Sequence, residues 1–319
     1  MARHRTLETQ LTPTLKSHFD LLYRPKRLFG KSPETTRLYH FSIGYFTAYL
    51  RHEATIDDLD DAKVMGCMEW IVAREPEGLG LSVRTANKTR DQLVALWNFL
   101  ARKGAVTHGW PEVPSLPEPA RTPIGWTPQQ LKLLWEMCAA QRGLIGGVPT
   151  DLWWLGIHYV AYDTLERIGA VRKLQWKGVI GLDEGGTVWA NFPPEVRKGR
   201  KSDNTCKLHA HTADVLRAIR DNSPDTDSVF PWPKNHTYLH TRYRELRSRA
   251  GLPTDRYHSF HCIRRTGASF AEAAGGDPSR LLRHSGPGVY AKHYRVPSLS
   301  GEAQAVDYLQ RPDDPRPAA

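Results

Sequence analysis

Apolar residues recur through the first hundred positions at three- and four-residue steps, the spacing of helices that bury one face. From Thr36 to Arg51, Leu38, Phe41, Tyr45 and Tyr49 follow this rule and predict one buried stripe along a helix. A second helix is predicted over 83–103. Leu93, Leu96, Trp97 and Leu100 form its apolar face, and Gly104 supplies a C-terminal stop. Repeated prolines in PEVPSLPEPARTP, residues 111–123, then favour an extended, semi-rigid connector. The chain resumes with a strong helix start at Trp126-Thr127-Pro128-Gln129-Gln130-Leu131. Thr127 serves as N-cap, Pro128 as first helical residue and Gln130 as the closing side of a capping box, with Trp126 and Leu131 placed as a hydrophobic staple. Residues 152–162 are apolar nearly all round, which predicts a helix inside a core.

After that helix the period shortens. Residues 178–182, 187–192 and a stretch near 205–209 read as strands of a small antiparallel sheet, the first two joined by a DEGG turn. A basic connection over 196–204 joins the last two. Helical patterns return over 212–221, 238–250 and 259–274, with two short helices near 278–284 and 288–295. RPDDPRPAA at the end has no pattern and is expected to be disordered. The fold class this predicts is mostly α (α+β): an all-α N-terminal domain, then a mostly α domain with a small antiparallel sheet. The expected division is 1–29 as an N-terminal extension, 30–110 as a helical domain and 111–125 as linker. A second domain over 126–297 and a tail over 298–319 follow.

Composition narrows the function. The chain of 319 residues, with 40% hydrophobic and 24% charged content, is that of a globular protein with two domains. No run of about 18 apolar residues is present, and the first residues have no apolar signal region, so no membrane partner and a cytoplasmic location are expected. The net charge of +10 is spread over both halves, as suits a protein that grips a polyanion over a wide surface. Arg84, Lys88 and Arg90, in the first turns of the 83–103 helix, are candidate phosphate contacts. Cys67, Cys138, Cys206 and Cys262 are scattered without a CxxC pair and are expected to be reduced and mostly buried. His209 and His211 would share one face of a strand, but no third ligand lies nearby in sequence, and no metal or other cofactor is expected.

Four short stretches carry the chemistry: Asp163-Thr-Leu-Glu-Arg167-Ile-Gly-Ala170, Val196-Arg-Lys198-Gly-Arg-Lys201, Phe260-His261-Cys-Ile-Arg264-Arg265-Thr266, and Leu282-Arg-His284-Ser-Gly running on through Ala291-Lys-His-Tyr294. Together they supply arginines, lysines, histidines and a tyrosine suited to attack on a phosphodiester. Paired guanidiniums neutralise the nonbridging oxygens, whose charge grows in the transition state. A phenol, with a reference pKa near ~10, needs a base or a cationic surrounding to act as nucleophile. A lysine ammonium can protonate the departing 5′ oxygen. Arg200 and Lys201 crowd the same turn as Lys198, and Tyr290 lies one helical turn before Tyr294.

In their order along the chain, these stretches resemble the catalytic boxes of the tyrosine recombinase (phage integrase) family, and the likeness extends from about residue 30 to residue 297. The resemblance implies a SAM-like core-binding domain followed by a catalytic domain. It implies that Arg167 and Arg264 clamp the scissile phosphate, that Lys198 protonates the leaving oxygen and that His261 shuttles the nucleophile's proton. His284 would hydrogen-bond the phosphate, and Tyr294 would form a 3′-phosphotyrosyl bond, without metal or ATP. Lys-His-Tyr294 followed by Pro297 matches the family's ending. Arg200, Lys201 and Arg265 are further expected DNA contacts. The family often has an acidic residue three places after the first arginine, where this chain has Ala170, and a glycine before the second histidine, where it has Arg283. The implied partners are double-stranded DNA and copies of the same chain, assembled as a dimer of dimers, with 301–309 as a docking segment; no small-molecule substrate is implied. Three other readings are a type IB topoisomerase that relaxes supercoils, a catalytically inactive DNA-binding protein on the same scaffold, and a metal-dependent nuclease.

Overall fold

A computed structural model of the chain describes residues 13–107, 109–197, 202–223, 226–283 and 287–301. The chain divides into two compact units between Ala120 and Arg121. Among the described residues, no helix is long and apolar enough to cross a membrane.

The first unit is helical. A short stretch of α1 (Leu15–His18), a π turn (Phe19–Tyr23) and α2 (Arg24–Arg27) leads into α3 (Pro33–Leu50), α4 (Asp61–Val72) and α5 (Val83–Ala101). Residues in the expected N-terminal extension contribute Leu15, Phe19 and Tyr23 to the core. There Phe19 stacks on Tyr39 with ring centroids 5.0 Å apart, and Tyr23 and Tyr39 share a hydrogen bond of 2.8 Å. The predicted face of α5 is buried as expected at Leu93, Leu96, Trp97 and Leu100. The predicted face of α3 is buried only in part, at Tyr45 and Tyr49, which pack half-buried against the core. Leu38 and Phe41 are exposed, and Tyr39, Ser42, Ile43 and Phe46 point inward instead. This helix carries apolar residues on both faces, and the choice is made by α5, where Gln92 accepts a 2.5 Å hydrogen bond from Ser42. The first part of the proline-rich segment lies along α5: Val113 is buried, and Asn87 exchanges two hydrogen bonds with Leu116.

The second unit opens with α6 (Pro128–Ala139), whose N-terminus is the predicted capping box of Thr127 and Gln130. Trp126 and Leu131 are both buried in the core of this unit. A hairpin of β1 (Leu144–Ile145) and β2 (Val148–Pro149) follows, which the sequence reading did not anticipate. Gly146 and Gly147 both have positive φ there, as its tight turn requires. The apolar helix α7 (Thr150–Thr164) runs through the core and buries Trp153, Trp154, Ile157 and Val160. The short α8 (Ile168–Val171) leads to the expected three-stranded sheet, β3 (Val179–Ile180), β4 (Trp189–Phe192) and β5 (Asn204–Lys207), antiparallel in chain order. Phe192 pairs with Asn204 and Ala190 with Cys206. The unit closes with α9 (Ala210–Asp221), α10 (His236–Arg249), α11 (His261–Ala273), α12 (Pro278–Leu281) and α13 (Pro287–His293).

His209 is the N-cap of α9 rather than a strand residue, and its Nδ1 accepts from the His211 backbone N–H. All four cysteines are free thiols; Cys67, Cys138 and Cys262 are buried and Cys206 is half-buried.

Candidate active site

The site is built on the first turn of α11, where His261 and Arg264 lie three residues apart and so share a face. Arg264 is 3% exposed. Its Nη2 donates to the Leu282 carbonyl at 3.1 Å, while its Nε is buried and has no hydrogen-bond partner among the described residues. Leaving such a donor unmet costs about 1–3 kcal/mol, which an anionic oxygen at this position would offset. Burial is the largest influence on this guanidinium and lowers its pKa. Tyr294, through charge and a hydrogen bond, and Glu166 act the other way, whereas neighbouring Arg167 adds to the lowering.

Tyr294 follows α13 directly and is 5% exposed. Its ring lies 4.9 Å from that of His261, and the Arg264 guanidinium stands 5.4 Å from the ring centroid. One stripe of α11 grips this segment, since Arg265, Ser269 and Glu272 recur at helical spacing. Arg265 Nε donates to the His293 carbonyl, and Ser269 Oγ accepts from the Val296 N–H at 3.0 Å. Glu272 takes the Tyr290 hydroxyl at 2.7 Å and pairs with Arg295. Arg265, expected on DNA, therefore has its Nε turned toward the tyrosine-bearing helix.

Arg167 enters from another direction. Helix α7 ends at Leu165, whose φ of 52° places it in the left-handed region. The chain turns there, and Arg167 becomes the extended N-cap of α8. Between them Glu166 is 3% exposed. Its Oε1 accepts from Arg197 Nε at 2.6 Å and Asn204 Nδ2 at 2.9 Å, and its Oε2 accepts from the Arg167 backbone N–H at 3.2 Å. This carboxylate is the partner that the sequence, with Ala170, did not reveal for the Arg167 turn. Arg283 occupies the place of the family's glycine with φ 50°, a conformation that favours glycine, and donates to the Asp203 carbonyl at 3.1 Å.

Lys198, Arg200, Lys201 and His284 lie outside the described residues. Their flanks converge nonetheless: Arg197 and Asn204 meet at Glu166, Arg283 reaches Asp203, and Leu282 meets Arg264. On the first unit, Arg84 and Lys88 are exposed on α5, whereas Arg90 directs Nε at the Val113 carbonyl at 2.9 Å and pairs with Asp91. Among the described residues, no cluster of three or more His, Cys, Asp or Glu side chains is placed to hold a metal.

A helical unit, followed by a helical unit with a small antiparallel sheet, is the fold of the tyrosine recombinases. In particular, the chain is similar in structure to a lambda integrase dimer bound to a COC′ core site, with a TM-score of 0.67 and 13% identity over 92% of this chain and 99% of that one. It is likewise similar to a Tn1549 transposon integrase in complex with transposon right end DNA, with a TM-score of 0.67 and 12% identity, over 92% and 97% of the two chains. XerH site-specific recombinase bound to palindromic difH substrate, in a post-cleavage complex, matches with a TM-score of 0.62 and 14% identity over 82% and 78%. No protein-family model matches the chain, and no curated protein matches it in sequence.

Proposed function

We propose that this chain is a site-specific DNA recombinase that cleaves and rejoins strands through a phosphotyrosyl bond. The observation that carries the reading is the buried Arg264, whose Nε has no partner among the described residues, standing over Tyr294 next to His261. In the reaction, the Tyr294 oxygen attacks the scissile phosphorus and the bond from phosphorus to the 5′ oxygen breaks. The phenolic proton passes to His261, and Lys198 gives a proton to the departing oxygen. Arg167 and Arg264 neutralise the nonbridging oxygens, joined by His284. One phosphate ester replaces another, so neither ATP nor a metal is called for, and attack by the freed hydroxyl of a second strand reverses the step.

The fold and the charge of +10 support double-stranded DNA as partner. Recombination of two sites calls for several copies of the chain, and a lambda integrase tetramer bound to a Holliday junction shares the fold. We place a DNA-gripping domain over 30–110, catalysis over 126–297 and the inter-subunit docking segment within 301–309. The test is a nicked duplex whose sequence the protein itself selects from a random library. The wild type should form a covalent, slower-migrating adduct that Tyr294→Phe cannot form while still binding. Adduct formation by Tyr294→Phe would refute the reading, and relaxation of plasmids lacking the selected site would favour a topoisomerase.

A further inference from the structure

Helix α13 has seven residues, too few to hold its shape by backbone bonds alone, so the placement of Tyr294 just beyond it depends on what packs against the segment. Glu272, half-buried on α11, meets that segment on both sides of residue 294. Before it, the Tyr290 hydroxyl donates to Glu272 Oε2 at 2.7 Å, and the Tyr290 carbonyl accepts from the Tyr294 N–H at 2.8 Å. After it, Arg295 Nε lies 3.1 Å from each oxygen of the carboxylate, and Arg295 Nη2 pairs with Oε1. One helical turn back along α11, Ser269 Oγ accepts from the Val296 N–H at 3.0 Å, so the chain beyond Tyr294 is fixed to the same stripe. Burial acts to raise the pKa of Glu272, but hydrogen bonds from Arg295 and Tyr290 outweigh it and hold the carboxyl below its ordinary value. Glu272 is therefore an anion near neutral pH, and both donors bind it more strongly than they would a neutral acceptor. The first turn of this same helix carries His261 and Arg264. The phenol and the groups it faces are thus joined through α11, with Glu272 as the charged link.

We infer that Glu272 is a positioning residue for the nucleophile: by holding Tyr290 and Arg295 at once, it sets the Tyr294 phenol against His261 and Arg264. The inference rests on the cleavage reading above and assigns Glu272 no contact with DNA or with the reacting atoms. A reacting group displaced by about 1 Å loses on the order of 10²-fold in rate, which fixes the size of the effect.

The test separates rate from binding. The full chain is given the selected nicked duplex at saturating concentration, and single-turnover adduct formation is timed beside a titration of DNA affinity. Glu272→Leu removes both arms at once and should slow adduct formation about 10²-fold, with affinity within about twofold of wild type. Exchanging the charges, Glu272→Arg together with Arg295→Glu, restores the pair and should recover at least about tenfold of that loss. A normal rate in Glu272→Leu, a rate and an affinity that fall together, or an exchange variant no faster than Glu272→Leu overturns the inference. Should Glu272→Leu fail to fold, Arg295→Met breaks the charged arm from its more exposed side and is read identically. A wild-type protein that forms no Tyr294-dependent adduct would instead sink the cleavage reading itself, and this inference with it.

Discussion

The hydroxyl of Tyr290 donates to Oε2 of Glu272 at 2.7 Å, so the phenol one turn before Tyr294 is already engaged within the protein. The Tyr294 ring lies against His261 and Arg264 instead. Tyr290→Phe should therefore keep adduct formation and lose about 1.5 kcal/mol of stability, the value of a hydrogen bond to a charged acceptor. Tyr294→Phe should lose the adduct altogether. Gel analysis of the covalent complex and denaturant unfolding check the pair; the reverse outcome would transfer the nucleophile's role to Tyr290.

Gly267, on α11, allows a close approach. A Cβ added there would fall 2.5 Å from Leu165 Cδ2 and 3.4 Å from the Tyr162 carbonyl. Leu165 is buried, already left-handed, and only two residues before Arg167. Gly267→Ala should destabilise the fold by about 1–3 kcal/mol through overpacking. It should also slow cleavage more than it weakens DNA binding, because the Arg167 turn must shift. Single-turnover cleavage alongside titration of DNA affinity separates the two effects.

His158 makes stability depend on pH. Its Nδ1 donates to the Trp154 carbonyl at 2.6 Å, and its Nε2 is buried without a partner among the described residues. Burial, the largest influence, lowers its pKa from 6.5 to about 4, against a smaller rise from the Trp154 bond. The unfolded chain takes up this proton first as pH falls. The neutral ring's contribution is therefore complete above pH 6.5 and is lost as pH drops toward 4, by up to about 3 kcal/mol. The stability of wild type relative to His158→Leu should shrink across that window. A difference that stays constant from pH 7 to 4 would disprove the assignment.

Arg84 and Lys88 are exposed on the first turns of α5, whereas Arg90 is held by Val113 and Asp91. Replacing Arg84 or Lys88 with Ala should each reduce the slope of log affinity against log salt by about 0.9, the signature of one lost phosphate contact. Arg90→Ala should leave that slope unchanged and loosen the segment around Val113. Binding measured at several salt concentrations, with proteolysis near residue 113, distinguishes these outcomes.

The elements of the second unit were largely legible because their signals are local. The capping box at Thr127 and Gln130, the all-round apolar α7 and the alternating strands each lie within a few residues of one another. The β1–β2 hairpin had its Gly-Gly signal but strands of only two residues each, too short for alternation to show. Glu166, Ser269 and Glu272 escaped sequence reasoning for a different reason. A lone Glu or Ser in a helical region reads as solvated surface, and nothing nearby in sequence marks the partners they find.

The order of the reactive boxes and the helix starts could be read from the chain alone, because periodicity and capping act between near neighbours. Tertiary structure decided which face of α3 is buried, that Tyr290 is held by Glu272, and that a carboxylate sits behind Arg167. Each of those outcomes depends on partners far away along the chain: Gln92 for Ser42, Arg197 and Asn204 for Glu166, Glu272 for Tyr290. Burial and ion pairing over such separations are set by packing, which exists only once the chain has folded.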